Sequence, residues 1–237
     1  MQTPTITFTE TMRGQAALTK PEHSPAIVTE DEDTGLIKTI LAGGSQDGMS
    51  FPLILKDLVV AVVTQQTAGV SGLRGSIEAG SVIATGLSQQ ALIITEGEFE
   101  LLPEVARAER RMRYRLHCRT SEGERSFLVY GFKRVANRKG RWWPLAVWLE
   151  TTTLYVTIYE VGSSTDETGT DTRQPVAAGI ARIYPLDFLK QMLTFRSRET
   201  QGLPRHVRNM LAFAGFFIMA LASVYRHNGH SERVVPT

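Results

Sequence analysis

The chain of 237 residues contains a single cysteine, Cys118. One cysteine excludes a disulfide within the chain and any zinc site built on several cysteines. A chain that can form no internal disulfide is typical of a reducing compartment. The first fourteen residues are polar and lack the apolar stretch of a secretory signal or a membrane-spanning helix. We therefore expect a cytoplasmic protein.

The familiar catalytic and cofactor motifs are also missing. The sequence has no GxSxG nucleophile elbow, no GxGxxG dinucleotide loop and no HExxH zinc motif. The acidic run Glu30–Asp33 lacks the ligand spacing and the glycine of a calcium loop, so we interpret it as solvated. The segment Ala42–Gly48 lacks the lysine of a phosphate loop and is predicted to be a turn. We expect no metal, no cofactor and no assigned catalytic residue.

The composition is that of a globular protein, with 42% hydrophobic and 21% charged residues. A formal net charge of +2 argues against a dedicated nucleic-acid-binding protein. The length suits one large all-β barrel or sandwich.

Several segments alternate between apolar and polar residues in the manner of β-strands. The clearest lies within Ser126–Val161, where Leu154, Val156 and Ile158 face one way. In Met112–Cys118 the apolar residues and Cys118 should face the core and the arginines should face away. Further strands, with Gly14 at a bulge or turn, are predicted at Leu53–Val63, Leu73–Glu78, Ala91–Thr95, Glu98–Leu102 and Ala177–Tyr184.

Two helices are predicted near the C-terminus. Pro185 suits a first helical position, and Phe188, Met192 and Phe195 form a stripe that we interpret as core packing. A second helix is predicted from Pro204 to Tyr225. Its uncharged part is shorter than the roughly twenty residues that span a bilayer. Burial is the favoured interpretation, with an oligomer contact or a membrane contact as alternatives.

These patterns predict a mainly β fold, either a barrel or a two-sheet sandwich, closed by two C-terminal helices. A faint echo between the strand pairs following Leu53 and following Thr151 raises the hypothesis of an internal duplication. We assign residues 1–200 to the β domain with the first helix. Residues 201–237 hold the apolar helix and a polar tail.

A β-barrel of this size can enclose an apolar ligand held by a few polar anchors. Our leading hypothesis is therefore a non-catalytic module that binds an apolar, lipid-like or sterol-like molecule. Its candidate polar anchors are Tyr114, Tyr130, Lys133, Tyr155 and Tyr159. An alternative is a hydrolase or isomerase that uses a barrel pocket, with His117 acting beside Arg115 or Glu98. That alternative requires His117 to line a cavity next to a carboxylate.

The connection between the two strands of Ser126–Val161 is rich in basic residues and tryptophan. Such a loop can fold back onto the core, contact an anionic membrane surface, or stack on nucleic-acid bases. The membrane interpretation predicts a peripheral membrane or assembly protein, and nucleic acid is the least favoured partner. The candidate contact residues are Arg138, Lys139, Arg141, Trp142 and Trp143.

The chain resembles a bacterial accessory domain that is appended to GMC-type, cholesterol-oxidase-like flavin oxidoreductases. The resemblance is scattered over most of Phe8–Arg196. Its motifs are FTETMRG (Phe8–Gly14), RMRYRL (Arg111–Leu116), GFK (Gly131–Lys133), TTTLYV (Thr151–Val156), Gly179 with Arg182 and Ile183, and PLDF (Pro185–Phe188).

This resemblance implies a stand-alone accessory module linked to sterol or other lipid metabolism, with an oxidoreductase as a partner. The flavin-binding segment is absent, so the resemblance carries over no oxidoreductase chemistry and no catalytic residue. The other expected partners are an apolar small molecule or lipid, a membrane surface, and a second copy of the chain bound through the C-terminal helix.

Overall fold

The computed structural model describes residues 5–19, 34–64, 72–106, 109–136, 143–161, 175–198 and 203–226, with only the backbone described for 143–146, 203–206, 225 and 226. The strands are β1 (Thr5–Leu18), β2 (Ser50–Val63), β3 (Leu73–Ala84), β4 (Leu92–Ala106), β5 (Glu109–Arg119), β6 (Ser126–Ala136), β7 (Thr153–Val161), β8 (Pro175–Arg182) and β9 (Arg196–Ser197). The helices are α1 (Thr34–Gln46), α2 (Trp143–Thr152), α3 (Pro185–Thr194) and α4 (Leu203–Arg226).

The fold is a closed antiparallel β-barrel of eight strands. Strands β2 to β8 follow one another around the barrel, and β1 closes it by pairing with both β8 and β2. The ninth strand, β9, pairs with the first half of β1, and β8 pairs with the second half. The prediction of a mainly β fold with helices at its C-terminal end is confirmed.

The barrel interior is filled by the side chains that alternate inward along each strand. In β5, Met112, Tyr114, Leu116 and Cys118 are buried, as the alternation predicts. Burial raises the pKa of the Cys118 thiol to about 12, so this cysteine is a core residue with little thiolate at neutral pH. In β7, Leu154, Val156 and Ile158 also point into the core.

Helix α1 lies outside the barrel, and the sequence prediction missed it. Its Ile37 and Ile40 pack with Ala17, Phe132 and Ala178, which face outward from the barrel wall. The prediction of a turn at Ala42–Gly48 is wrong for Ala42–Gln46, because these residues form the end of α1. Gly44 instead allows close packing of α1 on β1. A Cβ on Gly44 would lie 2.2 Å from the Cβ of Ala17.

Other predicted boundaries also need correction. Residues 143–152 form α2, so the connection before β7 is partly helical and not a simple loop. The predicted strands Ala91–Thr95 and Glu98–Leu102 fall, apart from Ala91, in one long strand, β4. Its pairing register with β5 shifts after Leu101, where Leu102 adopts a φ of 54°. Gly14 lies within β1 at a close approach to β8, and not at a turn.

Helix α4 packs along one stripe only. Phe213, Ala220 and Val224 are buried, and Asn209 Nδ2 donates a hydrogen bond to Ser197 Oγ at 3.2 Å. Near the other end, Arg110 Nε donates to Ser223 Oγ at 3.0 Å. Only 22% of the stretch Val207–Val224 is buried within the chain. The favoured prediction of a fully buried helix is therefore wrong.

Candidate ligand-binding site

A cavity of about 520 Å³ lies between one end of the barrel and helices α2, α3 and α4. This volume is within the usual range for small-molecule sites. Most of the lining is aromatic or aliphatic. The lining residues are Phe8, Glu10, Phe99, Leu101, Met112, Tyr114, Lys133, Val147, Trp148, Thr151, Thr152, Ile183, Phe188, Gln191, Met192, Phe195, Met210, Phe213, Ala214, Phe217 and Ile218.

Aromatic contacts join the helices to the barrel around this cavity. Phe195, which follows α3, stacks on Phe8 of β1 with ring centroids 4.8 Å apart, and it also contacts Phe213 of α4. Trp148 of α2 meets Phe188 of α3 edge to face at 4.9 Å. The three helices are thus held over the barrel end by rings that also line the cavity.

The floor of the cavity carries a buried polar cluster, which we call the Glu10 cluster: Glu10, Tyr114 and Lys133. Lys133 Nζ donates to Glu10 Oε1 at 2.5 Å, and Tyr114 OH donates to Glu10 Oε2 at 2.9 Å. The ammonium also lies 5.2 Å from the centre of the Tyr114 ring. Glu10 and Lys133 are each only 2% exposed. A buried ion pair of this kind is costly to desolvate, so its presence in a core is not explained by stability alone.

The alternation of side chains along β1 and β6 places Glu10 and Lys133 inside the barrel. In β1, Glu10 follows Ile6 and Phe8 on the inward face. In β6, Lys133 lies between Gly131 and Val135 on the inward face. Strand β2 has a bulge at Asp57, opposite Thr11, which is the residue after Glu10. The Asp57 N–H donates a hydrogen bond to Thr11 Oγ1 at 3.1 Å. Bulges often occur beside functional sites, where they redirect a neighbouring side chain.

Electrostatics distinguish Tyr114 from an ordinary tyrosine. Burial, followed by the charge of Glu10 and the hydrogen bond to it, raises the pKa of Tyr114 well above its usual value. Tyr114 therefore stays protonated at neutral pH and acts as a hydrogen-bond donor in the cavity floor.

Helix α3 contributes a further polar group to the cavity. Gln191 is only 7% exposed and lines the cavity, and its Oε1 has no hydrogen-bond partner among the described residues. An unpaired buried acceptor costs about 1–3 kcal/mol, so its presence at a cavity wall indicates a place for a donor from a ligand or water.

Two of the five predicted anchors, Tyr114 and Lys133, line this cavity. The other three lie elsewhere. Tyr155 stacks on Phe132 under α1. Tyr159 is half-buried, and burial raises its pKa to about 12, but it does not line the cavity. Tyr130 lines a smaller cavity on the outer face of the barrel.

That outer cavity measures about 160 Å³ and is lined by Glu98, Glu100, Arg113, Arg115 and Tyr130. Its charges form ion pairs across β4 and β5, with Arg113 Nη1 3.3 Å from Glu100 Oε2 and Arg115 Nη1 3.8 Å from Glu98 Oε2. His117 does not line it, although the enzyme hypothesis requires His117 in a cavity beside a carboxylate. Among the described residues, His117 lines neither of these two cavities, so the enzyme hypothesis stays a prediction.

The basic tryptophan-rich segment is only partly described. Arg138, Lys139, Arg141 and Trp142 lie outside the described residues, and Trp143 is the first residue of α2 with its side chain not described. Trp148, which was not among the predicted contact residues, lines the cavity.

Glu10 and Gln191 were also missed. A signal for Glu10 was available, because it interrupts the apolar face of Ile6, Phe8 and Met12. Nothing comparable marks Gln191, since its position depends on how α3 packs. Among the described residues, no group of three histidines, cysteines or carboxylates could hold a metal ion.

No protein-family model matches this chain, and neither a curated protein nor a solved structure matches it.

Proposed function

We propose that this protein binds a small, largely apolar molecule in the cavity at the end of the barrel, with the molecule's polar group at the Glu10 cluster. The observation that carries the proposal is an apolar cavity of about 520 Å³ whose floor holds a buried Glu10–Lys133–Tyr114 cluster. Binding sites typically combine apolar walls with a few convergent polar groups.

The charges of the cavity favour an uncharged ligand. Glu10 and Lys133 offset each other, so an additional charged group would enter a buried site without a counterion. Lys133 retains ammonium protons beyond the one that it donates to Glu10, and Gln191 Oε1 needs a donor. A hydroxyl both donates and accepts, so alcohols such as sterols or long-chain alcohols are the ligand class that we expect.

This function agrees with the accessory role in lipid or sterol metabolism that the sequence resemblance implies. An oxidoreductase partner remains a prediction.

The proposal is tested by narrowing the cavity mouth from its exposed side. Ala214 of α4 is exposed and lines the cavity, so Ala214→Trp should place an indole in the mouth without disturbing the core. We expect this variant to weaken binding of the uncharged fluorescent probe N-phenyl-1-naphthylamine by at least about tenfold. The measurement is a fluorescence titration of the purified protein.

Ala222→Trp is the matched control, because Ala222 is exposed on the same helix and does not line the cavity. It should bind the probe as the wild-type protein does. Equal binding by both variants, or no probe binding by the wild-type protein, would refute the proposal.

A further inference from the structure

Helix α3 buries two polar residues and exposes three leucines. Asp187 and Gln191 are buried, and the Asp187 carboxylate pairs with Arg13. Leu189 and Leu193 are 60% and 84% exposed, and Leu186 is exposed as well. A surface helix normally shows the reverse arrangement. The outer face of α3 is therefore suited to an apolar neighbour.

Helix α4 presents a second apolar face next to the first. Val207, Leu211, Ala214 and Ile218 follow one another at helical spacing, and all four are exposed. Ala214 and Ile218 also line the cavity, as does the exposed Met192 of α3. The two apolar faces thus meet at the cavity mouth. We call these exposed apolar residues of α3 and α4 the mouth face.

The exposed charged residues that the structure describes beside the mouth face are basic. Lys190 on α3 and Arg208 on α4 are both exposed. Arg196, in β9 between α3 and α4 in the sequence, is exposed as well. Asp187, the acidic residue of α3, is buried against Arg13 and does not offset them. Exposed leucines beside basic residues are the pattern of helices that lie in an anionic membrane surface.

We propose that the mouth face docks on an anionic lipid bilayer, so that the cavity opens onto the membrane and takes its ligand from there. Two observations favour a bilayer over a second copy of the chain. A two-fold contact would bring Lys190 and Arg208 of both copies into one interface, and the described part of α3, β9 and α4 holds no exposed acid to pair them. The cavity mouth would also be sealed, whereas a bilayer supplies apolar molecules to it.

Helix α4 is expected to lie on the bilayer and not to cross it. The stretch Val207–Val224 is long and apolar enough to span a membrane by length and composition. Its buried stripe is nevertheless fixed to the barrel through Phe213, Val224 and the hydrogen bonds of Asn209 and Ser223. Delivery of the ligand rests on the proposed function, but the docking does not.

The test is sedimentation of the full chain with vesicles of phosphatidylcholine and phosphatidylserine. We expect wild-type protein to co-sediment, and L189E/L193E to lose at least about tenfold in affinity. The matched control is I93E/V161E. Ile93 and Val161 are exposed, and they adjoin Arg119 and Ser126 at the barrel end away from the cavity. This control should bind like the wild-type protein.

Charge is tested separately with Lys190→Gln and Arg208→Gln. Each should weaken binding by about fivefold on vesicles that contain phosphatidylserine, because a basic residue near an anionic surface contributes on the order of 1 kcal/mol. On vesicles of phosphatidylcholine alone, neither change should matter.

A titration with N-phenyl-1-naphthylamine separates docking from ligand binding. L189E/L193E should still bind the probe, because Leu189 and Leu193 do not line the cavity. Absence of vesicle binding by the wild-type protein would overturn the docking while leaving the cavity proposal standing. A wild-type dimer that L189E/L193E disrupts, without vesicle binding, would assign the mouth face to a second copy. Vesicle binding without probe binding would support docking and refute the ligand-binding proposal.

Discussion

Replacement of Lys133 by methionine is expected to destabilise the protein by about 3–5 kcal/mol, because it leaves the Glu10 carboxylate buried without its ion-pair partner. Methionine is similar in length to lysine and fills much of the same space, so the loss should come from the charge and not from a void. The measurement is the midpoint and slope of urea denaturation at neutral pH.

The double variant Glu10→Gln/Lys133→Met provides the control. It removes both charges and keeps an acceptor for the Tyr114 hydroxyl. Replacing a buried pair by neutral groups is often neutral for stability, so the double variant should recover most of the loss. A loss below about 1 kcal/mol in the single variant would mean that the two groups are not a dry ion pair.

A second large effect is expected from Gly14→Ala, which should destabilise the barrel by about 3 kcal/mol. A Cβ on Gly14 would lie 1.8 Å from the carbonyl oxygen of Ile180 and 2.7 Å from the Cα of Ala181, both in β8. The obstacle is backbone, so the strands must separate where β1 and β8 close the barrel. Thermal denaturation followed by circular dichroism measures the change.

Gly43→Ala is the matched control for that experiment. Gly43 lies inside α1, and a Cβ there would meet nothing within 4 Å. Alanine is a better helix former than glycine, so this change should stabilise the protein by about 0.5–1 kcal/mol. Equal effects of the two substitutions would show that Gly14 does not limit the approach of β1 to β8.

The sequence predicted a mainly β barrel or sandwich because the signal of its strands is local. In β5 and β7 the alternation of apolar and polar residues specifies which side chains enter the core, and the structure follows it at Met112 and Ile158. Helix α1 was missed for the opposite reason. It has two adjacent glycines, and its stability comes from packing Ile37 and Ile40 on outward residues of distant strands.

The candidate site was only partly predictable. Lys133 and Tyr114 were selected from their strands, but the same reasoning also selected Tyr155, whose ring faces α1 on the outside. Gln191 lies in α3, whose predicted inward stripe was Phe188, Met192 and Phe195. The structure instead leaves Met192 42% exposed and buries Asp187 and Gln191. Which face of such a helix meets the core depends on tertiary contacts such as the pair of Arg13 with Asp187.

The central claim is that the cavity holds a small apolar molecule, and native mass spectrometry of protein purified without detergent tests it most directly. The account predicts a species heavier than the chain by one small uncharged molecule in the wild-type protein and in Ala222→Trp, and its loss in Ala214→Trp. The mass of the chain alone in the wild-type protein, or an adduct that Ala214→Trp retains unchanged, would contradict it.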